Sequence, residues 1–324
     1  MASDNPTSII SIGAATQDVF VMGKALLARR DVRSRQYVEQ FALGAKIDLE
    51  RVVFDTGGGA TNAAVTFARQ GLQSSFVGAL GQDPAGSEIV RVLRREGVGT
   101  EYIYLNGKLG TGYSVLLLAP NGERTILTYR GASHDLHAKY FAIRKLSADW
   151  LYISSLAGNY DLLTKLLRHA NLHNIRVAID PGSAELAHPK KLRKLLPLIH
   201  VLKANSEELA LLFPGKNSEG ILRAAAEFCD YVVLTDGPRG SLATDGHKIY
   251  AMGMYQKVKP VDRTGAGDAF GSGFVAGLAR GMNMEDALTL ASANATSVVQ
   301  QIGAKPGILR AGQLKRMKIR ITKF

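Results

Sequence analysis

Asp268 stands directly after Gly265-Ala266-Gly267, where a glycine-rich turn gives way to a run of small and apolar residues reaching Gly281. Glycine lets consecutive backbone N–H groups turn toward one point with no Cβ in the way. A helix beginning near Gly265 adds its unpaired first-turn N–H groups and the positive end of its dipole, which together make an anion site. An aspartate there has two readings: a cap that starts the helix, or a base held beside an anion under attack. A second glycine turn, Asp55-Thr56-Gly57-Gly58-Gly59-Ala60-Thr61-Asn62, opens another helix of small residues. Asn62, one turn in, offers both a donor and an acceptor. It reads either as a local cap or as a platform for hydroxyl groups, and the segment alone does not decide.

Several other chemistries are missing from the chain. No GxxxxGK[ST] is present, and no GxGxxG follows the first apolar run, so neither a Walker loop nor a dinucleotide turn is indicated. HExxH, CxxC and GxSxG do not occur, and the seven histidines are scattered. The single cysteine, Cys229, cannot form an intrachain disulfide, which favours a reducing, cytoplasmic setting. No apolar run reaches membrane-spanning length. A net charge of +12 over 324 residues reads either as solvated faces and a basic tail or as attraction to phosphate on a small anion or nucleic acid.

The elements that must position these groups alternate. Apolar runs at 9–12, 75–80, 150–154, 177–180, 201–203 and 231–235 read as strands, with helical patterns between them over 61–70, after Asp83-Pro84, and over 163–170. That rhythm predicts an α/β fold with a mostly parallel sheet covered on both faces. Ligands in such sheets bind beyond the carboxyl ends of the strands, and Asp18, Asp180, Asn205 and Asp236 are expected there. Pieces at 19–22, 52–54, 102–105, 113–119 and 124–129 interrupt the rhythm and read as antiparallel strands, with Asn121-Gly122 as a hairpin turn.

The two glycine segments, taken with Asn205-Ser206-Glu207-Glu208 and Thr235-Asp236-Gly237 between them, give the chain a resemblance to the ribokinase-like (PfkB) carbohydrate kinases along nearly its whole length. In that family a glycine-pair-to-asparagine motif is matched here by Gly57, Gly58 and Asn62, and the signature D-T-x-G-A-G-D by Asp262-Arg263-Thr264-Gly265-Ala266-Gly267-Asp268. The resemblance implies a single three-layer sandwich over 1–324 with a mostly parallel central sheet and a small β-sheet lid, the lid segments being about 19–56 and 101–130. It implies ATP-dependent phosphoryl transfer to a hydroxyl of a sugar or nucleoside. Asp268 is then the base, and the N–H groups of Gly265, Ala266 and Gly267 form the anion hole. Asp18, Gly58 and Asn62 bind the acceptor. Thr235, Gly237 and Asn294 line the nucleotide site together with Asn205 and Glu208, which hold Mg²⁺ through water. Asp262 and Thr264 are candidates for a K⁺ ion, and lid edges for a homodimer contact. Thr16-Gln17-Asp18 departs from the N-x-D of ribokinases proper, and Gly59 stands where they carry lysine, which weakens ribose itself as the acceptor. The phosphofructokinase branch carries T-R-x-N, which Thr111-Gly112-Tyr113 replaces, weakening the alternative of a sugar-phosphate acceptor. The alternative of another class is a non-catalytic ligand- or nucleic-acid-binding protein on this fold.

Overall fold

The computed structural model describes residues 6–314 except 25, 27, 32–34, 36, 120–123, 254, 256 and 257, together with the backbone of 320–323. Strand β1 (Ser8–Ile12) leads through a three-residue crossing into β2 (Thr16–Met22). The short β3 (Arg29–Arg30) and β4 (Tyr37–Val38) pair with each other before β5 (Arg51–Gly57), which runs into helix α1 (Gly59–Arg69). Next come β6 (Gln73–Gly81), α2 (Pro84–Arg95), β7 (Gly99–Asn106), β8 (Gly112–Leu118) and β9 (Arg124–Tyr129). Strands and helices then alternate: β10 (Trp150–Ile153), α3 (Tyr160–Leu172), β11 (Arg176–Ile179), α4 (Ser183–Leu186), α5 (Pro189–Leu195), β12 (Val201–Asn205), α6 (Ser206–Leu212), α7 (Ser218–Ala226) and β13 (Tyr231–Thr235). The final elements are β14 (Ser241–Thr244), β15 (Lys248–Met252), α8 (Ala266–Ala279), α9 (Met284–Val298) and β16 (Arg320–Lys323).

Among the described residues these strands form a ten-stranded sheet in the order β16-β15-β14-β13-β12-β11-β10-β1-β6-β7. It is parallel from β7 to β13 and antiparallel beyond. Successive side chains of a strand point to opposite faces, and β10 displays the result. Leu151 and Ile153 join one core with α3, α6 and α7, while Trp150 and Tyr152 join another with α1, α8 and α9. No helix among the described residues is long and apolar enough to cross a membrane.

A second, four-stranded sheet, β5-β2-β8-β9, stands at the carboxyl edge of the first. Its assembly differs from the expected antiparallel lid in two ways. Residues 99–106 do not enter it: β7 pairs in parallel with β6 and closes the edge of the large sheet. The stretch returns from α2 as a crossover does, and a crossover strand lies parallel to the one before it. Asp18 is not in a turn past β1 either. The polar crossing is only residues 13–15, so Asp18 lies inside β2, facing Asp55 across an antiparallel pair and Ser114 across a parallel one. Strands β8 and β9 pair antiparallel as expected, but the turn assigned to Asn121-Gly122 lies outside the described residues.

Candidate active site

Helix α8 begins at Gly265, whose φ of 76° is left-handed. Only glycine takes that conformation without strain, and a side chain there would also collide with Ala304. The turn aims the first N–H groups of α8 outward, where no carbonyl one turn back in the helix can receive them. Ala266 N–H makes a long turn bond to Arg263 O at 3.4 Å. Asp268, half-buried, follows in the first turn. Its Oδ2 accepts from Asn62 Nδ2 at 2.8 Å, so the two glycine-opened helices, α1 and α8, meet through this pair. Gly59 lies beneath it: a Cβ there would stand 3.3 Å from Asp268 Oδ1. Ser272 Oγ donates to Asp268 O at 2.6 Å and lies 2.9 Å from Thr66 Oγ1, which pins α8 to α1 just below the carboxylate.

On the small-sheet side, Gly58 has φ 94° and packs against residues 14–15; a Cβ would meet Ala15 Cα at 2.6 Å. Gly57 lies under the Asp18 carboxylate, where any side chain would clash. Asp18 Oδ1 accepts from Thr16 Oγ1 at 2.8 Å. Burial raises the Asp18 pKa above the usual carboxylate value, against Thr16, Lys305 and Ser114, and with the neighbouring Asp55 adding to the rise. Asp18, Gly58, Asn62 and Asp268 therefore line one side of the junction between the two sheets.

The other side holds a cavity of about 470 Å³ lined by Thr235, Gly237, Ser241, Phe270, Ala295 and Thr296 among others, with Ala266 and Gly267 of the α8 start also in its wall. Its volume and apolar walls suit a small-molecule site. Thr235 and Gly237 sit at the end of β13, as expected. Asn294 does not face this cavity. It is fully buried, its Nδ2 donating to Ala269 O and its Oδ1 accepting from Leu309 N, at 2.8 and 2.9 Å. Buried amides are held where their hydrogen bonds are met, and here both ends are used to tie α9 to α8 and to the chain beyond. Thr296 and Ser292 of the same helix reach the cavity instead.

Asn205 and Glu208 form a reciprocal cap on α6: Asn205 Oδ1 accepts from Glu208 N and Glu208 Oε2 from Asn205 N, each at 2.8 Å. That geometry engages one oxygen of each side chain and leaves Glu208 Oε1 and the Asn205 amide nitrogen. No cluster of three His, Cys, Asp or Glu side chains with metal-holding geometry occurs among the described residues. One carboxylate beside an amide fits Mg²⁺ held chiefly by phosphate oxygens and water. Asp262 fits an exchangeable cation poorly. It is fully buried, Oδ1 accepting from Thr264 N and Oγ1 at 2.9 and 2.7 Å and Oδ2 from Gly303 N at 3.1 Å. The carboxylate expected to ligate K⁺ thus organises the loop before α8.

Two lysines near this junction escape notice in the sequence. Lys203, on β12 two residues before Asn205, is buried and pairs with Asp180 at 2.8 Å. A Cβ on Gly267 would stand 3.2 Å from its Nζ, so the ammonium lies directly behind the proposed anion hole. Burial alone would pull Lys203 down, but Asp180, Asp268 and Glu208 outweigh it and keep it charged. Burial pushes Asp180 up to about 6 against the pull of Lys203. The signal was present as K-x-N-x-x-E, a lysine on a strand whose end carries the cap. Lys305 is the second, with its amine 2.8 Å from Asn62 Oδ1.

A carboxylate held at a glycine-opened helix start, with an ammonium behind it and a cavity beside it, suits a phosphotransferase with an alcohol group as acceptor. Residues 17–310 match the profile of the pfkB family carbohydrate kinases, and the chain belongs to that family. It is 28% identical over 263 residues to the ribokinase of Bacillus subtilis, covering 81% of this chain and 87% of that protein. It is 31% identical over 255 residues to the fructokinase of Salmonella typhimurium, covering 72% and 82%. The ribokinase of Arabidopsis thaliana solved with ribose and ATP has a similar fold, with a TM-score of 0.74 at 24% identity over 94% of this chain and 96% of that one. The chain is a phosphotransferase of this family.

Proposed function

We propose that the protein transfers the terminal phosphoryl group of ATP to a hydroxyl of an unphosphorylated sugar or a nucleoside, with Asp268 as the base. The observation that carries this reading is the Asn62–Asp268 pair at the start of α8, with the Thr235–Thr296 cavity on one side and Asp18 and Gly58 on the other. Phosphoryl transfer is catalysed chiefly by positioning and charge stabilisation. Asp268 Oδ1 takes the proton of the acceptor hydroxyl while Asn62 holds Oδ2. The N–H groups of Gly265, Ala266 and Gly267, with Lys203 behind them, receive the charge on the transferred group. Asn205 and Glu208 would hold Mg²⁺ through water, and the ion would neutralise phosphate charge.

We read the four-stranded sheet as a lid inserted in one kinase domain, which would exclude water as a competing acceptor. Val52 and Phe54 on β5 and Leu127 and Tyr129 on β9 are exposed apolar groups at its two edges, which supports a homodimer through the lid. Phe54→Asp is expected to convert a dimer to a monomer in sedimentation; an unchanged mass places the contact elsewhere.

The test of function is ADP release against ribose, fructose, 2-keto-3-deoxygluconate, adenosine, cytidine, inosine and fructose 6-phosphate. Turnover on a neutral sugar or nucleoside is expected. Turnover confined to the sugar phosphate would reject the acceptor class. In Asp268→Asn, kcat should fall by about 10²–10⁴ with ATP affinity kept within about twofold, and near-normal turnover would remove Asp268 from its role.

A further inference from the structure

Lys305 lies on the turn after α9, two residues past Gly303, and its side chain points inward: the residue is 4% exposed. The ammonium donates to Thr56 O at 2.6 Å, to Thr61 Oγ1 at 3.0 Å and to Asn62 Oδ1 at 2.8 Å. Three donors thus meet three acceptors, all of them neutral, from the end of β5 and the first turn of α1. A buried charge with no direct counter-ion is costly. The charged groups that face it are Asp55 on β5, Asp18 on β2 and Asp268 on α8, which favour the ammonium, and Arg69 on α1, which opposes it.

The consequence lies in the two unlike ends of an amide. An ammonium only donates, so the end of Asn62 that meets Lys305 must be the oxygen. The end that meets Asp268 is then the NH₂, and it must donate. An amide rotated by half a turn would set its oxygen against the Asp268 carboxylate and its NH₂ against the ammonium, two repulsive contacts in place of two hydrogen bonds. The two charged partners select the same orientation from opposite ends, the carboxylate taking the NH₂ and the ammonium the oxygen.

We propose that Lys305 is a positioning residue for phosphoryl transfer: it locks the Asn62 amide in the orientation that donates to Asp268 Oδ2, and so leaves Oδ1 as the oxygen turned to the acceptor hydroxyl. The inference rests on Asp268 being the base. It joins the turn at 303–307 to the reacting carboxylate through two hydrogen bonds. A neutral amine both donates and accepts, so the orientation of the amide is then held from the Asp268 end alone. Burial pulls the Lys305 pKa down to about 8, so the lock should weaken on the alkaline side of neutrality.

Lys305→Met fills a similar volume without a donor, and Lys305→Gln keeps N–H donors without the charge. With folding checked by circular dichroism, kcat of Lys305→Met is expected to fall tenfold or more with the KM for ATP within twofold. Lys305→Gln should recover part of that loss, and the decline of wild-type kcat near pH 8 should be absent from both variants. A lysine that merely supports the fold predicts wild-type kcat per folded molecule and an unaltered pH profile in the variants; that result overturns the proposal. If Lys305→Met does not fold, full kcat in Lys305→Gln with the wild-type profile overturns it equally. Asp268→Asn, assayed alongside, separates the two levels. Turnover retained there removes the base and the positioning role with it, whereas an inactive Asp268→Asn beside fully active Lys305 variants removes only the positioning role.

Discussion

Lys203 and Asp180 form a close ion pair beside the site. Lys203 is buried and Asp180 nearly so, and the ammonium is shared between Asp180 at 2.8 Å and the more distant charges of Asp268 and Glu208. Removing one partner of a buried pair leaves the other without compensation and costs about 3–5 kcal/mol, while replacing both with apolar or neutral groups costs far less. Lys203→Met is therefore expected to lower stability by about that amount in denaturant unfolding, and Asp180→Asn in the same chain to restore much of it. Activity should not return in the double variant, because the charge behind Gly267 is still missing. A double variant as unstable as Lys203→Met would show that the pair is not the source of the loss. Recovery of activity together with stability would show that Lys203 acts on folding and not on the phosphoryl group.

At the scale of elements, α8 explains why the small residues after Asp268 matter. Gly273 and Gly277 let its backbone approach α9: a Cβ at Gly277 would meet Ala287 Cα at 2.7 Å, and one at Gly273 would meet Ala291 Cα at 3.0 Å. Gly277→Val is expected to cost at least about 1–3 kcal/mol through overpacking, read as a lower denaturation midpoint, and unchanged stability would mean that the helices can part at no cost. The same scale shows what could be read in advance. Helix starts at Gly59 and Ala266, the Asp83 cap of α2 and the Asn205 cap of α6 are local chemistry, and turns and caps are written within a few residues. Sheet membership is not local. Residues 99–106 have strand character, but whether they pair with β6 or with β8 depends on where α2 returns the chain, and Asp18 fell inside β2 because the crossing at 13–15 is so short. Inward-pointing lysines are hidden for a different reason. Among 40 Lys and Arg residues, each is expected to be solvated unless a distant strand or helix encloses it. Asn294 failed in the opposite sense, since an amide on the helix beside a ligand cavity gives no local sign of which way it faces.

For the whole molecule, the groups that make the junction chemically able also set how its stability responds to pH. Lys305 has a pKa of about 8 in the fold against an ordinary 10.5. Between those values the unfolded chain binds the proton more fully than the folded one, so stability rises with pH across that window. Below pH 8 the fold carries the whole burden of the buried charge, on the order of 3 kcal/mol for such a gap. Asp180 behaves in the opposite manner: its pKa of about 6 against 3.8 gives stability that is present below 3.8 and lost as pH rises through 6. Both groups are thus charged, and least favourable to folding, between about pH 6 and 8, the range in which the proposed mechanism calls on an ammonium at Asn62 and an ion pair behind Gly267. Many other side chains titrate on the alkaline side, so the informative quantity is a difference. The unfolding free energy of wild type minus that of Lys305→Met should be flat from pH 6.5 to 7.5. It should then climb by about 3 kcal/mol as pH approaches 10.5, while wild-type kcat declines over the lower part of the same range. Parallel stability curves across that window would mean that Lys305 keeps its ordinary pKa, and the opposition between stability and activity at this site would go with it.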